Sequence, residues 1–167
     1  RPNPDVVATS PRIDTDCAVL QSAFPWAVET ALSLVQTGRS GVVDRHERSP
    51  GSGNRPYIPS YWAGYRFRTA FYSRDFCHQA PGAHLLGLER ENRTMLRAFA
   101  ASATDARKGF PLWALNFDGS PFRLDWNGDD DFVREVPAVF ELVELAWRLY
   151  RWTGDRSLVD DPVLRAY

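Results

Sequence analysis

The chain has 167 residues, 44% hydrophobic and 13% aromatic, long enough for one domain with a real core and too apolar for a disordered segment. Its 20 basic and 21 acidic residues are scattered and leave a net charge of −1, so no long-range field favours nucleic acid or an anionic membrane. No run of eighteen apolar residues occurs, and no membrane partner is expected.

Cys17 and Cys77 lie sixty residues apart, and His46, His78 and His84 complete a set without metal-ligand spacing. Both thiols read as reduced core residues, and neither a metal nor a cofactor is expected. The compartment stays open, with the cytoplasm slightly favoured.

In chain order, residues 16–37 place Val19, Leu20, Phe24, Ala27, Ala31, Leu32, Leu34 and Val35 at helical spacing. Gly38 is the stop, and Pro25 predicts a bend or restart. Residues 39–59, with Gly41, Pro50, Gly51, Ser52, Gly53, Asn54, Pro56 and Pro59, predict a long loop. The loop runs into Tyr57, Tyr61, Trp62, Tyr65, Phe67, Phe71 and Tyr72, rings that either pave a ligand site or close the bottom of the core.

A helix from about Ser73 puts Tyr72, Asp75 and Gln79 on one face and makes Arg74 and His78 an i,i+4 pair beside it. Phe76, Ala80, Ala83 and Gly87 line an apolar face. Pro81 and Gly82 predict either a kink or a helix that begins only at Pro81. An acceptor carboxylate, a donor guanidinium and an amide that does both suit the reading of adjacent hydroxyls, with aromatic faces for the C–H side of a sugar ring. The same residues also fit a plainer role, Arg74 and Asp75 as a helix-start ion pair capped by Ser73.

Gly87 predicts a helix stop, and a second helix over about 90–103 turns Met95, Leu96 and Phe99 inward, giving an αα-hairpin over about 75–104. Two short runs flank Asp118-Gly119 within 112–126 and predict a small β-ribbon. Asp129, Asp130 and Asp131 form an acidic cluster at an expected helix start. Asp130 and Asp131 are the weak candidates for a catalytic carboxylate, against simple helix capping.

The strongest periodicity runs from Asp131 to Trp152. Val133, Val136, Phe140, Val143, Trp147 and Tyr150 form one stripe, and Val139, Leu142, Ala146 and Leu149 a second beside it. Pro137 predicts a bend near the start. Thr153-Gly154-Asp155 reads as a C′ glycine followed by the N-cap of another helix, which predicts a second hairpin over 131–167.

Two broadly apolar helical hairpins look like consecutive parts of a toroid. From about Tyr57 to Tyr167 the chain resembles the first part of a bacterial six-hairpin, or (α/α)6-barrel, glycosidase. Thr69-Ala-Phe-Tyr-Ser-Arg-Asp-Phe-Cys-His-Gln79 is similar to the aromatic-x-Arg-Asp motif of glucoamylase-like enzymes and of exo-mannosidases with this fold. Tyr150-Arg-Trp-Thr-Gly-Asp155 is similar to the helix-turn-helix connection of these toroids.

The resemblance implies a mainly α catalytic domain, 1–167 being its N-terminal portion with the rest of the toroid after Tyr167. It implies a glycoside hydrolase acting with inversion on the terminal sugar of a glycan, an oligosaccharide or glycoside being the partner. Arg74 and Asp75 would bind sugar hydroxyls, joined by Tyr72, His78, Gln79 and Trp62. An inverting acid and base stand about 6.5–9.5 Å apart around a water, and in the family they come from later hairpins. Phe76, Cys77 and His78 depart from the small residues common after the Asp, which leaves the sugar open. A sugar epimerase or lyase of the same fold, an isoprenoid enzyme built on Asp129–Asp131, and a noncatalytic helical scaffold are the other readings.

Overall fold

The computed structural model describes residues 11–43, 53–65 and 68–167. His46, Pro50, Gly51, Ser52 and Phe67, singled out above, lie outside the described residues. The fold is mainly α, with six helices and two small two-stranded antiparallel sheets among the described residues. None of these helices is long and apolar enough to cross a membrane.

Helix α1, Ala18–Ser33, carries Pro25 inside without a break. Proline removes only the bond to the carbonyl four residues back, and tolerance is greatest where nothing packs tightly. No residue of α1 is buried. The expected core helix of 16–37 is therefore shorter, and it leans on the molecule rather than filling it. Val35 leaves it to form an antiparallel bridge with Tyr61, held by Gln36 N–H donating to the Ser60 carbonyl at 2.7 Å. The segment 39–59 is not all loop. Strands β1 (Ser40–Val42) and β2 (Asn54–Pro56) pair within it, Gly41 opposite Arg55.

Strand β3, Ala70–Tyr72, is fully buried and runs without a linker into α2, Ser73–Leu85. Its partner is β4, Ala114–Asn116, with Phe71 opposite Leu115. The turn at Asp118-Gly119 forms as its residues predict, Gly119 having φ +84° and Ser120 donating to the Asp118 carboxylate. Beyond that turn the chain returns to β4 through a Leu115–Pro121 bridge, not a named strand. The ribbon expected within 112–126 thus takes its main partner from 70–72, because the strand next to α2 offers a fully buried apolar edge and the local partner does not.

Helix α2 is continuous through Pro81, so neither the kink nor the late start occurs as a helix break. Phe76, Ala80 and Ala83 are buried as expected. Gly87 has φ +78°, and a short turn leads to α3, Glu89–Ser102, which packs on α2 and buries Met95, Leu96 and Phe99. The turn also anchors polar groups. Asn92 is fully buried, accepting from the Tyr61 hydroxyl at 2.6 Å and donating to the Ala80 carbonyl at 3.0 Å. Buried Glu91 accepts from Thr37 Oγ1 at 2.6 Å.

Helix α4, Val136–Thr153, begins later than its periodicity suggests, with Pro137 in its first turn and therefore no bend. Ala138, Leu142, Leu145 and Leu149 are buried, against α2 among other neighbours. The stripe expected to be part of a packed face is instead the solvent side: Val136, Phe140, Val143 and Trp147 are 56%, 71%, 55% and 56% exposed. The side of the helix with Leu142, Leu145 and Leu149 is the one that packs. Two apolar stripes on one helix compete for one neighbour, and the aliphatic stripe took it.

Gly154 (φ +67°) ends α4, and Asp155 caps the next turn as predicted. Two five-residue helices follow instead of one long one, α5 (Arg156–Asp160) and α6 (Pro162–Ala166), capped by Asp155 and Asp161. Arg93 and Arg97, one turn apart on α3, reach these caps at 2.9 Å and 3.1 Å.

Hydrogen bonds from the Ser157 hydroxyl and N–H, with Arg93 nearby, hold the Asp155 carboxyl below its usual range. For Asp161, desolvation pushes upward, but the Val163 and Leu164 N–H groups and Arg97 outweigh it and the net shift is downward. A depressed carboxylate stabilises the fold above its unfolded pKa and loses that contribution as pH falls through its folded value. The thermal midpoint should therefore drop on acidification below the normal carboxylate range. The doubly substituted Asp155→Asn, Asp161→Asn protein should show a shallower acid drop, measured by circular dichroism.

The α4 stripe should bind a hydrophobic dye at neutral pH without denaturant. Phe140→Lys with Trp147→Lys should remove most of that fluorescence with the melting midpoint shifted by no more than a few degrees.

Candidate functional site

The strand-to-helix junction at Tyr72–Ser73 organises the polar residues. Tyr72 N–H donates to the Ala63 carbonyl and Ser73 N–H to the Trp113 carbonyl, both at 2.8 Å, so the start of α2 is clamped from two sides. Tyr72 is the N-cap residue and buried. It lies outside the helix and does not share a face with Asp75 and Gln79. Its ring packs edge-on against Trp113 at 5.2 Å and Phe122 at 6.3 Å.

Arg68, four residues upstream in a bend, donates to the Tyr72 hydroxyl and to the Asp125 carboxylate, each at 3.3 Å. Its guanidinium also lies over the Tyr65 and Phe122 rings. Burial raises the Tyr72 pKa, Arg68 opposes the rise, and the Asp125 and Asp75 carboxylates add to it. Both acids therefore act on the same hydroxyl. Burial also raises Asp125, against the pull of Arg68. Because the Tyr72 oxygen accepts from Arg68, its own proton is left to donate.

Asp75 is exposed in the first turn of α2, where the helix dipole favours a negative charge, and it has no hydrogen-bond or ion-pair partner among the described residues. Gly64 stands against it. At φ +110°, a Cβ there would overlap the Tyr72 ring and lie 3.3 Å from Asp75 Oδ2. Glycine is required here by both conformation and space.

Arg74 points the other way. It pairs with Glu135 and Glu141, each at 3.5 Å, joining the start of α2 to the N-cap and second turn of α4. His78, one turn further and mostly exposed, approaches the same Glu141 carboxylate at 3.6 Å. The two thus share an acid on a neighbouring helix. Glu141 Oε2 is buried without a hydrogen-bond partner among the described residues. A small cavity of about 150 Å³ lies here, lined by Cys77, His78, Glu141, Glu144, Leu145 and Arg148. Burial, with Glu141 and Glu144, pushes the Cys77 thiol up to about 12, which disqualifies it as a neutral-pH nucleophile. Cys17 is exposed rather than in the core, since α1 buries nothing.

Gln79 and Trp62 lie on a separate groove between α1 and α2, shared with His78, Tyr61 and Gly64. Trp62 packs edge-on against Phe117 at 4.8 Å and so serves the core as well. Tyr61, Phe71 and Tyr72 are buried, and Tyr65 is exposed.

The acids Asp129–Asp131 do not start a helix. They sit in a tight turn closed by Asn127 N–H donating to the Asp131 carbonyl at 2.9 Å. Asp129 pairs with Arg107 at 2.7 Å, and Asp131 accepts from Asn127 Nδ2 at 3.0 Å. Among the described residues no group of His, Cys, Asp and Glu could hold a metal ion.

The structure thus brings Tyr72 together with Arg68 and Asp125, leaves Asp75 against Gly64 near the Tyr72 ring, and brings Arg74 and His78 together with Glu141. It does not gather all six expected residues in one concavity. Arg68 had a signal in the sequence: in extended chain the period of two places Arg68, Ala70 and Tyr72 on one face. Glu141 had one too, on the face of α4 next to Leu142, but its partner on α2 could not be read.

Comparison with family models, with curated proteins and with solved structures found no match to this chain.

Gly64→Ala should destabilise the protein by roughly 2 kcal/mol or more through backbone strain and overpacking against Tyr72. Gly41→Ala, which needs only the Tyr57 hydroxyl end to move, should cost less. Urea unfolding of the two variants compares them.

Proposed function

We propose that this chain is the sugar-binding part of a glycoside hydrolase, acting with inversion on the terminal sugar of a glycan. The single observation that carries the reading is the exposed Asp75 carboxylate, without a hydrogen-bond or ion-pair partner among the described residues, close to Gly64 and the ring of Tyr72, whose hydroxyl accepts from Arg68. An open carboxylate accepts and a phenol hydroxyl both accepts and donates, the kinds of partner that sugar hydroxyls take. Half-buried Trp113 and exposed Tyr65 supply flat apolar faces nearby.

Arg74 takes a second role in this reading. Held by Glu135 and Glu141, it presents its remaining N–H groups at the joined ends of α2 and α4. His78, Gln79 and Trp62 flank the sugar rather than grip it. The side-by-side hairpins belong, in the same reading, to an (α/α)6 toroid whose acid pair comes from other hairpins. Asp130 and Asp131 remain the local carboxylate candidates, on an exposed turn whose backbone is already fixed by Asn127 and Arg134.

The exposed stripe of α4 favours one other reading, a noncatalytic scaffold that presents a helix face to a partner protein. The test that separates them is Asp75→Asn, which keeps shape and removes the anionic acceptor. In the full-length enzyme, assayed on a panel of aryl glycosides and oligosaccharides, kcat/KM should fall about tenfold to a hundredfold, the range for a hydrogen bond to a charged group. The melting midpoint should stay within about a degree. A parent protein inactive and non-binding on every glycan would favour the scaffold.

A further inference from the structure

The groove between α1 and α2 encloses about 980 Å³, with Tyr61, Trp62, Gly64 and Tyr65 between its two helical walls. None of the 16 residues of α1 is buried, so Phe24, Val28 and Ala31 face the groove only partly covered. Water against such walls is unfavourable, and an apolar occupant relieves it. Apart from the aromatic rings' polar tips, the polar side chains on the wall are Thr30, His78 and Gln79. A mainly apolar concavity with a few polar groups is the usual make-up of a small-molecule site.

Position decides what the ligand is. Gly64 belongs to the groove and also stands beside Asp75, for a Cβ there would lie 3.3 Å from its Oδ2. Gln79 lies one turn along α2 from Asp75, and Leu85 and Leu86 follow toward the far end. Polarity therefore falls along the groove with distance from the carboxylate. We infer that the groove between α1 and α2 holds the apolar aglycone, an alkyl or aryl group, of a glycoside whose sugar is bound at Asp75. This rests on the sugar reading of Asp75, and the two fail differently.

The probes are octyl β-glucoside, octyl β-galactoside and octyl α-mannoside below their micelle concentrations, with the free sugars and 1-octanol as controls, titrated calorimetrically. One octyl glycoside should bind at least tenfold more tightly than its free sugar and than octanol. Gly82→Leu is the decisive variant: a Cβ at Gly82 meets nothing within 4 Å, Gly82 lies on the groove wall, and leucine strengthens a helix relative to glycine. It should fold at least as well, weaken the octyl glycoside at least tenfold and leave free-sugar binding unchanged. Asp75→Asn should reduce the octyl glycoside to the affinity of octanol.

Octyl glycoside binding that survives Gly82→Leu but is lost in Asp75→Asn overturns the groove assignment and keeps the sugar site. Binding that Gly82→Leu abolishes, Asp75→Asn leaves alone and octanol matches overturns the sugar reading and the aglycone assignment with it. Failure of all three octyl glycosides to bind overturns the inference outright.

Discussion

Four phenylalanine rings hold the structure together. Phe71 of β3 meets Phe99 of α3 edge-on at 5.3 Å and lies 6.0 Å from Phe117, and Phe76 of α2 lies 5.9 Å from Phe99. All four are fully buried. A strand, both helices of the first hairpin and the turn after β4 are thereby fixed to one another, and aromatic contacts of this kind add to the burial of large apolar areas. Because Phe71 is one residue from Tyr72 and Phe76 one residue from Asp75, the same rings set where the polar site stands.

That coupling explains why the start of α2 tolerates exposed charge. The junction is clamped by Ala63 and Trp113 carbonyls, so its geometry does not depend on Arg74 or Asp75. Arg74 is then available to bridge to α4, and Asp75 is left open. Surface ion pairs contribute little to stability, so the Arg74–Glu135–Glu141 group is better understood as setting the relation of two helix starts than as holding them together. Along α3, Arg93 and Arg97 do the corresponding job for the two caps, Asp155 and Asp161.

The two open apolar surfaces differ in kind. The α1–α2 groove is concave and adjoins the residues around Asp75, whereas the α4 stripe lies on the outer face of a helix. Concavity permits a small ligand to be surrounded, and a convex helix face is covered only by another large surface.

The sequence by itself determined the helices whose signals are local. The α2–α3 hairpin, with Phe76, Ala80, Met95, Leu96 and Phe99 inward, follows from period and the Gly87 stop. Gly154 and Asp155 announced the end of α4 and the next cap. Pairing was another matter. The residues 114–116 could pair with their own hairpin or with 70–72, and only the buried edge beside α2 chose. Two apolar stripes on α4 were equally legible, and only packing against α2 decided which one is buried. For the site, residue types pointed to Arg74, Asp75 and His78. Tertiary structure sent Arg74 and His78 to Glu141, joined Tyr72 and Asp125 through Arg68, and left Asp75 against Gly64. Helical period fixes the angle between neighbouring side chains, but which neighbour waits at that angle depends on elements sixty residues away, and no local pattern encodes it.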